Sequence, residues 1–107
     1  MAESQNLPLR MHVPDDMQGG AYANVVAVWH GPFDFTLDFA VAGMTQRDDK
    51  GDNYIPAPVV ARITVPPQVI FRFAQAIAEN VDRYERTYGP IKQPGSDGGP
   101  TIAPMDS

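Results

Sequence analysis

Three groupings of side chains in this sequence could do chemistry: His30 with Asp34 and Asp38, the carboxylates Asp48, Asp49 and Asp52, and the pair Arg62 and Arg72. An imidazole beside a carboxylate can act as a general base or help to ligate a metal, so the first grouping defines one reading, a metal-dependent or general-base enzyme. The plainer reading of His30 is a residue at a strand end that caps a turn. The second grouping offers carboxylates to calcium, but a calcium loop needs acid or amide at its first, third and fifth places and glycine at the sixth. Counted from Asp48, Lys50 stands third and Gly51 fourth, so the pattern fails. The two arginines could meet at a strand-to-helix corner and hold an anionic group, the reading of a small-anion-binding regulatory domain. Arg72 also falls in the first turns of the helix inferred below, where the dipole disfavours a cation.

No phosphate-binding glycine loop, nucleophile elbow or paired zinc-ligand spacing occurs, and there is no cysteine to form a disulfide or a thiolate site. No cofactor or metal is expected, and a non-catalytic role is preferred. Acidic residues number 13 against 8 basic ones, a net charge of -5, which repels a phosphate backbone and makes nucleic acid a poor partner. No stretch approaches the ~20 apolar residues of a membrane helix. The first residues lack the basic start and apolar run of a secretory signal, and a cysteine-free chain suits a reducing compartment, so the cytoplasm is the expected setting.

The element that must position everything else is a helix from Pro66 to Tyr88. Ile70, Phe73, Ile77, Val81, Tyr84 and Tyr88 step by three or four and share one face. Proline in the first turn costs no helical hydrogen bond, and Gly89-Pro90 ends the run. Glu79 with Arg83 and Asp82 with Arg86 form acid-first pairs at the spacing that supports a helix by about 0.3–0.5 kcal/mol each.

Ahead of the helix lie three strands. Tyr22 to His30 is β-branched and nearly continuous in its apolarity, and Phe33, Phe35, Leu37, Phe39 and Val41 alternate with polar or small residues after the Gly31-Pro32 turn. Val59, Ala61, Ile63 and Val65 alternate in the third. A two- or four-residue hairpin loop pairs positions of odd sum, which puts Val26, Val28 and His30 on the face of Phe35, Leu37 and Phe39, and Val25, Ala27 and Trp29 with Asp34, Thr36 and Asp38. A three-residue loop with a bulge reverses the assignment. In the preferred register His30 faces away from both aspartates.

Residues 43–58 read as an acidic, mobile loop, in which Pro56 and Pro58 prevent regular pairing. Residues 1–20 read as a flexible arm, although Leu7, Leu9, Met11 and Val13 alternate and could add an edge strand. Residues 91–107 read as a disordered Pro/Gly-rich tail. The expected architecture is therefore a single α+β domain over 21–90: a three-stranded antiparallel sheet followed by one long amphipathic helix packed on it, in β-β-β-α order.

Its ordered part is roughly 50 residues, a size that buries a marginal area. Two open sheet edges, a long helix and Trp29 on the side away from that helix predict completion by a homodimer. The expected function is a small assembly or protein-interaction module that self-associates through sheet edge, helix or both, using Trp29, Val25, Ala27, Asn80 and Tyr84. In a helix-to-helix contact Asn80 becomes a polar group in the seam that fixes register.

The runs Tyr22 to Pro32, Phe35 to Phe39 and Arg62 to Pro67, followed by Glu79-Asn80-Val81, Tyr84-Glu85 and Gly89-Pro90-Ile91, resemble the bacterial domain of unknown function 3467 family. The resemblance spans Tyr22 to Ile91. It implies these element boundaries and carries no catalytic residue.

Overall fold

The structure is a computed structural model that describes residues 6–92. Residues 1–5 and 93–107 lie outside the described residues, and with them the start of the expected arm and nearly all of the expected disordered tail. The elements are β1 (Val25–His30), β2 (Phe35–Ala40), β3 (Gln46–Arg47), β4 (Asn53–Tyr54), β5 (Val59–Val65) and α1 (Pro67–Tyr88), with a single 3-10 turn at Asp15–Met17 in the arm. This is an α+β architecture, a three-stranded antiparallel sheet in the order β1-β2-β5 followed by one long helix.

The hairpin from β1 to β2 closes with the four residues Gly31–Asp34, the Gly31 N–H donating to the Asp34 carbonyl at 3.0 Å. Val28 opposes Leu37 and His30 opposes Phe35, so paired positions have an odd sum. Between β2 and β5, Leu37 opposes Ile63 and Asp38 opposes Arg62, while a bulge leaves Val60 unopposed between Ala61 and Val59. Side chains alternate across a strand, and two faces result. One carries Val26, Val28, Leu37, Phe39 and Ile63. The other carries Val25, Ala27, Trp29, Asp38 and Arg62.

The 43–58 segment is more ordered than its composition suggests. β3 pairs with β4 in a two-stranded ribbon, and one Asp48 carboxylate oxygen accepts the N–H groups of Lys50 and Asp52, both at 2.9 Å. That side-chain turn substitutes for apolar packing, and Gly51 supplies the positive φ of 86° that the reversal needs. Pro56 and Pro58 do not end pairing either, because a proline keeps its acceptor. Their carbonyls accept from Gly43 at 2.8 Å and Val41 at 3.1 Å. β2 and β5 are thus prolonged toward the ribbon.

Pro67 occupies the first helical position of α1, and Gly89 ends it at φ 100°, its N–H donating to the Glu85 carbonyl at 2.9 Å. Of the two acid-first pairs, Asp82 with Arg86 closes an ion pair among the described residues. Only the start of the helix meets the sheet. Val69, Ile70 and Phe73 border the Leu37 face, yet no residue of α1 is buried.

Among the described residues only Ala27, Leu37, Ala40 and Asp38 are buried. Leu37, 6% exposed at the middle of the central strand, is the largest apolar member of this core. Leu37→Ala is expected to cost about 2–3 kcal/mol, the low end for such truncations because its partly open neighbours can relax into the space. Urea unfolding monitored by the fluorescence of Trp29, the sole tryptophan, checks it.

Candidate functional site

The two faces of the sheet offer different chemistry. On one, Asp38 projects from the central strand between Trp29 on β1 and Arg62 on β5. A carboxylate only 5% exposed must have its acceptors filled, and both are. Arg62 forms a two-pronged pair with it, Nε to Oδ1 at 2.6 Å and Nη2 to Oδ2 at 2.8 Å, and the Trp29 indole N–H donates to Oδ2 at 2.8 Å. The register makes this possible. Arg62 is directly opposed to Asp38, and Trp29, opposed to Thr36, reaches Asp38 on the diagonal.

Arg62 above all holds the Asp38 carboxyl below the usual carboxylate range. Burial pulls the other way, and the Trp29 hydrogen bond and the charge of Arg62 add to the depression. The same contact raises Arg62, chiefly through its hydrogen bonds to Asp38. A carboxylate so engaged is a weak base, and its oxygens are already committed.

The histidine-aspartate grouping is not assembled. His30 is exposed on the Leu37 face, with its ring 5.8 Å from that of Phe35, while Asp38 lies on the opposite face. Asp34 sits in the hairpin loop. Nor do the two arginines converge: Arg62 is taken by Asp38, and Arg72 stands exposed on α1 without a side-chain hydrogen bond among the described residues. No group of three or more potential metal ligands occurs among the described residues. No helix there is long and apolar enough to cross a membrane.

Ala27 is buried, and Val25 and Trp29 are half-buried on the Asp38 face, so this side presents less bare apolar surface than their residue types imply. The bare surface is on the other face. Leu37, Phe39, Ile63 and Val65 from the sheet and Val69, Ile70 and Phe73 from α1 line a wholly apolar groove of about 250 Å³. Beyond that groove the helical stripe runs on through Ile77, Val81 and Tyr84, all exposed. Asn80 donates to the Ala76 carbonyl of its own helix at 2.8 Å, and Tyr84 lies 4.9 Å from Tyr88, ring to ring.

The link sequence reasoning missed is Asp38 with Arg62. It becomes visible only once β5 is registered on β2, and the 18 residues between the two strands leave that register open in the sequence.

A group with a depressed folded pKa stabilises the fold fully above its unfolded value, about 3.9 for aspartate, and loses that contribution as pH falls through the folded value. Asp38→Asn is therefore expected to be less stable than wild type at pH 7, and the gap should narrow below about pH 4. Urea midpoints from pH 7 to pH 2 measure it; a gap independent of pH contradicts the assignment.

A family model described as "Protein of unknown function (DUF3467)" matches residues 1–93. No curated protein and no solved structure matches the chain.

Proposed function

The chain belongs to the DUF3467 family, and we propose that it is a small non-catalytic assembly or protein-interaction module that self-associates, in a cytoplasmic setting suited to a chain without cysteine. One observation carries the reading: among the described residues, none of the side chains of the 22-residue amphipathic helix is buried. Helices in proteins owe most of their stability to packing of the apolar face, so this helix needs a surface it does not have.

Phe73, Ile77, Val81 and Tyr84 are 39–49% exposed along that face, and Val26, Val28 and Ile63 are 47–52% exposed on the adjoining sheet. An apolar patch of this continuity marks an interaction surface rather than ordinary scatter. Two-fold pairing answers it with a single self-complementary contact. Asn80, within the helical stripe, then supplies the polar group that fixes register in such a seam. Trp29 and Val25 border the open β1 edge and contribute from there.

Sedimentation equilibrium tests the proposal. Wild type should be dimeric at micromolar concentration, and Val81→Glu should weaken the dimer about 10- to 100-fold, the cost of about 1–3 kcal/mol for losing a central contact. A wild type that stays monomeric at several hundred micromolar sinks the reading.

A further inference from the structure

Among the described residues the sheet has two open edges, and they are not equally protected. β5 carries features that discourage further pairing: Arg62, the bulge at Val60, and Pro66 and Pro67 directly after it. β1 has none of these. Its six residues contain no proline, acid, lysine or arginine, and all six pair regularly with β2. An edge of that kind invites another strand.

The arm contains one segment built to be that strand. From Leu7 to Val13 the chain has no helix, turn or bend, and Leu9 and Met11 are 90% and 88% exposed, packed against nothing among the described residues. When such a segment is extended, its apolar residues Leu7, Leu9, Met11 and Val13 share one face.

The prolines add a second constraint. In a strand the N–H and C=O of alternate residues point to opposite edges, so odd- and even-numbered positions form two separate ladders. Pro8 and Pro14 both belong to the even set. The odd edge keeps a donor at every position, while the even edge lacks donors at both ends and carries no further strand. Leu7–Val13 can thus join a sheet by one edge and close it with the other.

We infer that Leu7–Val13 of one copy pairs, through its odd-numbered residues, with the free β1 edge of a second copy. This rests on the self-association proposed above and names the segment that performs it. Seven extended residues span about 23 Å, enough to run the length of six-residue β1. Added antiparallel to β1, the strand's odd-numbered apolar side chains continue the face of Val26 and Val28, and Arg10 and His12 fall on the side of Trp29. One such strand is smaller than a standard interface of about 1,600 Å², so the exchange is reciprocal and works together with the helical contact.

The full-length chain tests this by parity. Met11→Pro removes an edge-facing donor, whereas His12→Pro falls on the side where Pro8 and Pro14 already stand. Met11→Pro should weaken the dimer at least tenfold by sedimentation, and His12→Pro should leave it within about twofold. Because the chain has no cysteine, Arg10→Cys accepts a single nitroxide. Mixed with 15N-labelled wild type, the spin-labelled copy should broaden the amides of Val25 to His30 in its partner. A wild type that never dimerises defeats the self-association reading and this inference with it. A dimer that tolerates both prolines or neither, broadening centred on β5, or broadening of Val25 to His30 seen only when nitroxide and 15N are placed in the same copy overturns the arm assignment alone.

Discussion

A buried carboxylate at the centre of a three-stranded sheet constrains everything around it. Asp38 cannot be left without partners, and the residues able to reach it come one from each flanking strand: Trp29 from β1 and Arg62 from β5. Its three hydrogen bonds therefore tie the whole sheet together across its short dimension, where the chain has little apolar core to do so. Their geometry also depends on register. A one-residue slip of either outer strand carries its residue to the opposite face and strands the carboxylate, so the cluster selects one pairing as well as stabilising it.

With one face committed to that cluster, apolar packing is left to the other, and there the chain is short of material. The helix touches the sheet only through its first turns and then overhangs it. A helix fastened at one end and bare along the rest is poorly placed to complete its own domain. It is well placed to complete another. The tilt of the whole design toward association follows from this division of labour between a polar face that holds the strands and an apolar face that lacks a cover.

Much of this was legible in the residues. The strand and helix boundaries followed from alternation, from the three-and-four spacing of Ile70 to Tyr88 and from proline and glycine at the ends of α1. The odd-sum hairpin register, and with it the separation of His30 from Asp38, followed from the four-residue loop. What escaped were effects of single atoms. The Asp48 carboxylate organises a ribbon where polarity suggested a mobile loop, and the carbonyls of Pro56 and Pro58 sustain pairing where their missing N–H groups suggested none. The Asp38–Arg62 pair was hidden because the long segment between β2 and β5 leaves their register open in the sequence, so Arg62 read as a free cation near Arg72. Trp29 read as bare because indole area is easy to count, whereas a partner for its N–H, contributed by a residue nine positions away, is not.

The position of Trp29 has a spectroscopic consequence. It is the sole tryptophan, and its ring nitrogen is bonded to the carboxylate that joins all three strands, so its emission reports on the integrity of the sheet and not on the helix. Far-ultraviolet dichroism, dominated by the 22 residues of α1, reports mainly on the helix. The molecule therefore carries two separate optical channels, and the lag between them on dilution or heating distinguishes release of the helix from rupture of the strands.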